Sequence, residues 1–341
     1  MKQLIFLIIV FFSCHLWQLG FGQSNLTDQT SVKAHQQLLS NQSSLLYGDS
    51  NCDGQLDILD VVATINHILG LNPDPYCIHL ADLNADGEIN ILDVVFTINL
   101  ILEVPGLPCP GMPTITDFDG NVYNTVLIGE QCWMKENLKT SRDAAGNSIA
   151  RYCYENNLEY CDWYGGLYDW FTAMNGEVGS NTMPSGVQGI CPEGWHLPSH
   201  FEWTKLEQYV CVALGNTDCD FEFPYDHTTQ GLRGTNEGNA LKSCRQVDSP
   251  LGGACSTTEH PRWNSHTTQH GFDEVGFSAL PGGRKTVDFG DLGIGSAGYW
   301  WSTSEQTSDF AWYRYIYFNG GKIVRMDPYK TLGFSIRCLR D

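Results

Sequence analysis

Apolar residues recur at helical spacing in two stretches of the chain. The first set is Val61, Ile65, Ile68 and Leu69, and the second is Val94, Ile98, Ile101 and Leu102. Spacing of three or four residues places the members of each set along one side of a helix. The pattern therefore predicts two amphipathic helices, and Gly70 is suited to end the first one.

After residue 114 the pattern changes to short alternating runs between glycines, which is typical of short strands and turns. One helix start is clear, because Ser199 and Glu202 have the spacing of a capping box. Trp203, Leu206 and Val210 continue along one face of that helix. The other predicted elements are a hairpin and a Trp-containing strand in 116–140, a short helix in 165–174, and strands and turns in 276–284, 299–305, 311–318 and 333–341.

The first 22 residues have the pattern of an export signal. Lys2 precedes the apolar run Leu4–Phe12, which is too short to span a bilayer, and small residues precede Gln23. We therefore expect cleavage near Gln23; the alternative is lipoprotein processing at Cys14. No later segment is long and apolar enough to span a membrane, which predicts a secreted or surface-associated protein.

Changes in amino-acid composition divide the rest of the chain into segments. Residues 23–47 are rich in Ser, Gln, Asn and Thr, which is typical of a flexible spacer. Residues 105–113 contain four prolines, which stop a helix and form a stiff linker. The predicted order is a signal peptide at 1–22, a spacer at 23–47, a repeat unit at 48–104, a linker at 105–113 and a larger domain at 114–341.

The formal net charge of −20 excludes some partners. Nucleic-acid binding and docking on an anionic membrane both need clustered Lys and Arg. Residues 48–104 contain eight Asp and two Glu but neither Lys nor Arg. Such a cluster repels itself without cations, so metal binding and folding are expected to be coupled in this unit.

The acidic unit is an internal duplication, because residues 49–69 and 82–102 are identical at 14 of 21 positions. Each copy begins with D-x-N-x-D-G and places oxygen-bearing residues at loop positions 1, 3, 5, 7, 9 and 12. Calcium requires oxygens at these offsets and a glycine at position 6. The predicted ligands of two calcium ions are Asp49, Asn51, Asp53, Gln55, Asp57 and Asp60 in the first loop, and Asp82, Asn84, Asp86, Glu88, Asn90 and Asp93 in the second. The alternative is a repeat of acidic Asx-turns without metal.

The duplicated unit resembles a type I dockerin domain, an EF-hand-like calcium-loop fold that is entirely α-helical. Each loop is followed by a helix, neither is preceded by a convincing one, and position 12 is Asp rather than Glu. The resemblance implies docking onto a cohesin-like domain of a scaffold or surface protein. It places the contact at loop positions 10 and 11, which are Ile58, Leu59, Ile91 and Leu92, and on the helix that follows each loop. The alternative is that these four residues pack within the repeat or against the larger domain.

Twelve cysteines remain after Cys14 is set aside with the signal peptide. An even number of cysteines in an exported protein predicts disulfides, and the spacings do not match a paired zinc motif. Short separations favour three local bridges, Cys153–Cys161, Cys211–Cys219 and Cys244–Cys255. The pairing of the other six stays open.

The larger domain resembles the Fibrobacter succinogenes major paralogous domain. The resemblance rests on ordered segments such as TDFDGNVYNTVLIGEQCWMKENLKT (116–140), GGLYDWFTAM (165–174) and GICPEGWHLPSHFEWTKLE (189–207). It implies a C-type lectin-like fold, with two helices around short antiparallel sheets and long loops. Together with the helical repeat unit, this makes the expected fold class α+β.

Aromatic residues are the main candidates for a ligand site in this domain. Tyr313, Tyr315 and Tyr317 alternate along one predicted strand and therefore share a face, where they would stack on sugar rings. The alternative is that they pack against a neighbouring strand or loop. The region contains no G-x-S-x-G, H-E-x-x-H or phosphate-loop motif, so no catalytic residue is assigned.

Three functions follow as hypotheses. The first is an exported, non-catalytic protein in which a dockerin-like tether joins a lectin-like domain that binds a polysaccharide, glycan or surface partner. The second is a component of polysaccharide degradation with glycoside hydrolase activity, anchored through its dockerin. The third is a lectin-fold enzyme similar to the formylglycine-generating type, which would need an unpaired thiol.

Overall fold

The computed structural model describes residues 46–102, 104–286 and 290–340. The predicted signal peptide, Cys14 and most of the predicted spacer lie outside these ranges. Within them, none of the helices combines the length and the hydrophobicity that a bilayer span requires.

The amino-terminal unit contains three helices, α1 (Ile58–Ile68), α2 (Ile78–Ala81) and α3 (Ile91–Ile101). Capping boxes begin both α1 and α3, with the pairs Asp57–Asp60 and Asn90–Asp93. Gly70 follows α1 with φ +72°, a left-handed conformation that glycine adopts without strain. Both helices predicted after the loops are therefore present. The one-turn helix α2 before the second loop is too short to show as apolar periodicity.

The larger domain contains ten strands in two sheets. The strands are β1 (Thr114–Thr116), β2 (Val122–Ile128), β3 (Gln131–Met134), β4 (Gly231–Arg233), β5 (Gly282–Thr286), β6 (Gly290–Ile294), β7 (Ala297–Glu305), β8 (Ala311–Tyr317), β9 (Ile323–Met326) and β10 (Leu339–Arg340). One sheet has the order β1-β2-β3-β10 and the other β4-β9-β8-β7-β5-β6. Neighbours pair antiparallel except for β5 and β7, which are parallel.

The prediction of two helices in this domain was wrong, because its described residues form five. They are α4 (Leu158–Tyr164), α5 (Trp170–Met174), α6 (His200–Ala213), α7 (Cys219–Glu222) and α8 (Glu237–Leu241), with 3₁₀ turns at Tyr154–Asn156 and Gly253–Cys255. Only α6 is long enough to show helical periodicity. Two of the short ones depend on side-chain caps, from Asn157 and Asp169. Together with the helical amino-terminal unit, the chain is α+β, as predicted.

Helix α6 packs on the six-stranded sheet through a buried charge cluster. Glu207 accepts a hydrogen bond from Arg314 Nε of β8 at 2.5 Å and from Arg325 Nε of β9 at 2.9 Å. Arg325 also donates to Thr204 Oγ1, which lies one helical turn away from Glu207. All of these side chains are excluded from water. The carboxylate therefore fixes the helix over two neighbouring strands.

Replacing Glu207 with Ala should destabilise the domain strongly. The change leaves two arginines buried without their anion, and breaking such a pair costs about 3–5 kcal/mol. The exposed pair Glu130–Lys205, whose lysine is also on α6, supplies the control. Glu130→Ala should change the free energy of unfolding by less than about 1 kcal/mol. Urea unfolding of both variants tests this, and equal effects would contradict it.

Candidate calcium loops and docking surface

The first carboxylate of each loop is held by two main-chain amides. Asp49 accepts hydrogen bonds from the amides of Asp53 at 3.1 Å and Gly54 at 2.9 Å. In the second loop Asp82 accepts from the amides at positions 86 and 87, at 3.2 and 3.0 Å. The duplicated sequence therefore produces the same loop geometry twice.

The last carboxylate closes each loop onto its helix. Asp60 accepts from the amides of Asn51 at 3.1 Å and Asp57 at 2.9 Å. Asp93 likewise accepts from Leu83 and Asn90, both at 2.9 Å. Asp60 and Asp93 are fully buried. Each side chain therefore joins the start of its loop to the first turn of the following helix.

The remaining predicted ligands lie along the same turns. Asp53 and Asp86 each accept from the amide two residues on, and Asp57 and Asn90 cap their helices through the amides of Leu59 and Leu92. Gln55 and Glu88 are exposed, and each contributes its amide to the turn. Positions 4 and 6 have positive φ in both loops: Cys52 63°, Gly54 82°, Ala85 57° and Gly87 83°. The shared backbone shows that the loops are alike even where their residues differ.

The electrostatics of the first loop favour a cation. Burial raises the pKa of Asp60, and the charges of Asp49 and Asp53 raise it further. No Lys or Arg lies in residues 48–104 to offset these charges. Carboxylate, amide and main-chain oxygens are the donors that a hard divalent cation requires, so the residues fit calcium.

The loop side chains bond to the main chain rather than converge on a point. Within the part of the chain that the structure describes, no three His, Cys, Asp or Glu side chains gather at metal-binding distance. The predicted donor set also includes asparagine and main-chain oxygens, so acidic groups supply only part of it. The assignment of individual ligands therefore stays a prediction.

The apolar residues at loop positions 10 and 11 are on the surface. Ile58 is 62% exposed and Leu59 54%; their counterparts Ile91 and Leu92 are 63% and 54% exposed. The alternative that these residues pack within the repeat or against the larger domain is therefore wrong. One turn later Val62 and Val95, both 47% exposed, extend each patch. The resemblance placed the following helix at the contact but did not single out these valines, which i to i+3 and i+4 spacing from the pairs would have indicated.

All twelve cysteines in the described ranges form disulfides. The predicted bridges Cys153–Cys161, Cys211–Cys219 and Cys244–Cys255 are confirmed. The other three are Cys52–Cys77, Cys109–Cys132 and Cys191–Cys338. Cys52 stands at position 4 of the first loop, so its bridge connects that loop to the segment before α2.

The proline-rich segment 104–113 is bound on both sides. Gly111 N–H donates to the carbonyl of Leu83 in the second calcium loop at 3.0 Å. On the other side, the Leu127 amide of β2 donates to the Leu107 carbonyl at 2.8 Å. A disulfide also joins Cys109 to Cys132 of β3. The segment therefore joins the loop to the first sheet through specific bonds.

The tyrosines of β8 do not form one exposed row. Tyr313 is only 5% exposed and packs against Phe334, with ring centroids 4.9 Å apart. Tyr315 is half-buried beside Tyr299, and only Tyr317 is open, at 41%. The expectation that all three present a stacking surface is therefore wrong for Tyr313, because the strand runs from the core to the surface.

Comparison with known families agrees with this architecture. A family model for the Fibrobacter succinogenes major domain matches residues 126–340, and one for the dockerin type I domain matches residues 47–102. The chain therefore belongs to the Fibrobacter succinogenes major domain family and carries a dockerin type I domain ahead of the major domain. No curated protein and no solved structure matches the chain significantly.

The dockerin match brings general properties with it. Dockerin type I domains bind calcium and typically bind cohesin partners. Both families are typical of extracellular proteins. The chain is thus a modular protein with a tethering domain.

Removing the Cys109–Cys132 bridge should open the junction without unfolding the domains. In a Cys109→Ser/Cys132→Ser variant, we expect proteinase K to cleave within residues 104–113 roughly ten times faster, because losing about 1.4 kcal/mol of local stability raises the open population tenfold. Mass spectrometry locates the cut. The variant Cys244→Ser/Cys255→Ser is the control and should leave this cut unchanged. Equal rates in both variants would show that the bridge does not hold the junction.

Proposed function

We propose that this chain is an exported, non-catalytic modular protein, secreted or held at the cell surface. Its dockerin domain binds two calcium ions and docks onto a cohesin-like partner. Its larger domain binds a glycan and takes part in polysaccharide utilisation. The observation that carries the proposal is the pair of matched loops, each with an equally exposed Ile-Leu pair at positions 10 and 11.

Calcium is proposed to occupy loops 49–60 and 82–93. The six predicted oxygen-bearing positions in each loop would hold it. A bound divalent cation offsets the mutual repulsion of the loop carboxylates, and residues 48–104 contain no Lys or Arg that would do so. Asp60 and Asp93 already connect the loops to α1 and α3, so neutralising the loops would stabilise both helices.

The docking surface is proposed to be the two equivalent apolar patches. Ile58 and Leu59 begin α1, and Ile91 and Leu92 begin α3. Apolar side chains clustered on the surface of a soluble unit are typical of an interaction site. The acidic loops beside them predict that a partner presents an apolar centre with a basic rim.

The larger domain is proposed to act by binding. Its described cysteines are all paired, so they supply no thiol nucleophile for a formylglycine-type reaction. The matched families do not favour the glycoside hydrolase alternative. The C-type lectin-like relationship remains a proposal, supported by the short sheets and long connecting loops. Disulfide-held loops that expose aromatic rings suit ligand binding.

Calcium titration tests the proposal that the dockerin domain binds two calcium ions. Calorimetry on the whole chain should give two ions per molecule, and Asp49→Ala or Asp82→Ala should each remove about one. Asp74→Ala is the matched control, because Asp74 is an acid of the same unit outside both loops. Chelation should also reduce helical circular dichroism. A stoichiometry well below two, or a spectrum unchanged by chelation, would contradict the proposal.

Binding to cohesin domains tests the proposed docking surface. A variant with Ile58, Leu59, Ile91 and Leu92 all changed to Ser should lose binding to immobilised cohesin domains by about a hundredfold or more, since it removes the apolar centre of both patches. The control Val178→Ser/Phe221→Ser changes two exposed apolar residues of the larger domain. Biolayer interferometry measures both. Unchanged binding by the fourfold variant would refute this surface.

A further inference from the structure

A cluster of aromatic rings lies on the surface of the larger domain, away from the tyrosines of β8. Trp163 on α4 stacks face to face on His260, with ring centroids 5.1 Å apart and an angle of 10°. Tyr160 meets both rings edge-on, at 5.6 and 5.8 Å. Trp163 is exposed, whereas Tyr160 and His260 are half-buried. The indole is therefore supported on one face by His260 and still reaches solvent.

A buried tyrosine and two disulfides hold the rings of the cluster in place. The hydroxyl of buried Tyr164 lies 2.6 Å from His260 Nδ1 and also accepts from the Arg262 amide. The Cys153–Cys161 bridge holds α4, and the Cys244–Cys255 bridge holds the loop that leads to His260. Burial, together with nearby Arg262, lowers the pKa of His260 and so favours its neutral form. The ring arrangement is thus formed before any ligand arrives.

A polar depression lies on the loop that carries His260. Its volume is about 310 Å³, and its lining is Asp248, Ser256, Thr257, Thr258 and Glu259. Glu259 immediately precedes His260 in the chain. Arg245 donates to the carbonyls of Glu259 and Pro261, which orders this part of the loop. One loop therefore carries both the ring that supports Trp163 and a set of hydroxyls and carboxylates.

We propose that Trp163, His260 and the depression on the same loop as His260 form a binding site for a neutral polysaccharide whose pyranose rings carry equatorial substituents. The inference rests on the proposed glycan-binding function and assigns that function to a particular surface. The indole of Trp163 stacks on the flat C–H face of one sugar. Asp248, Glu259 and the neighbouring hydroxyls accept and donate hydrogen bonds to the hydroxyl groups of the next sugar.

The choice of ligand follows from shape and charge. Pyranose rings with equatorial substituents present flat apolar faces, which match an indole better than branched or axial sugars do. The net charge of −20 on the chain repels uronate and sulfated polysaccharides, so an uncharged polysaccharide is the better ligand.

The tyrosines of β8 are the competing site. Tyr313 is buried and Tyr315 is half-buried, so only Tyr317 offers an open ring there. The cluster at Trp163 has an indole that is 36% exposed, a supporting stack and a polar depression on the same loop as His260. The geometry therefore favours Trp163 over the strand.

Affinity electrophoresis of the whole protein tests the site. The gels contain hydroxyethylcellulose or neutral arabinoxylan, with polygalacturonate as the anionic comparison. We expect wild type to be retarded by a neutral polymer. Trp163→Ala should weaken that retention about tenfold or more, as truncation of a central Trp does. Trp163→Tyr keeps a ring and should retain most of the binding. Tyr317→Ala, an exposed aromatic elsewhere, should bind as wild type.

The outcomes distinguish a failure of the proposed site from a failure of the proposed glycan-binding function. Retention of wild type with no loss in Trp163→Ala, or a loss in Tyr317→Ala instead, overturns this site while glycan binding stands. No retention of wild type in any gel overturns the proposed glycan-binding function itself. Stronger retention by polygalacturonate overturns the neutral class of ligand. Thermal unfolding of each variant serves as the folding control, and a tenfold loss in Trp163→Ala with unchanged melting supports the site.

Discussion

Segment 104–113 is the constraint on which the connection between the two domains depends, because it is bonded to both of them. Gly111 is hydrogen-bonded to Leu83 inside the second calcium loop, and Cys109 is bridged to Cys132 in the first sheet. Leu83 in turn donates its amide to Asp93, the carboxylate that closes that loop. A change in the loop therefore reaches the larger domain through a few short contacts.

The larger domain keeps its shape through long-range connections that leave its loops free for recognition. Glu207 joins a helix to two strands, and Cys191–Cys338 connects the middle of the chain to the residue just before the last strand, β10. Trp163 and His260 are carried on segments with local bridges of their own. A stiff scaffold of this kind keeps an aromatic ring exposed without the entropic cost of ordering it on binding.

The two proposed surfaces suit different kinds of partner. An apolar dockerin patch suits a protein partner, whereas a Trp ring supported by a loop that carries hydroxyls and carboxylates suits a neutral sugar chain. When one surface is engaged, the other stays at high local concentration near its own ligand, which strengthens weak binding. The rigid junction restricts the relative orientations in which both can act together.

Local features of the protein were determined by the sequence alone. The duplicated loops, the capping box of Ser199 and the three short-range disulfides depend on neighbouring residues, whose sterics and hydrogen bonds operate over a few positions. The burial of Tyr313, the short helices, the Cys191–Cys338 bridge and the stacking of Trp163 on His260 were decided by tertiary structure. These features depend on which distant segments pack together, and in β8 the same alternation of tyrosines suits an exposed strand as well as one that enters the core.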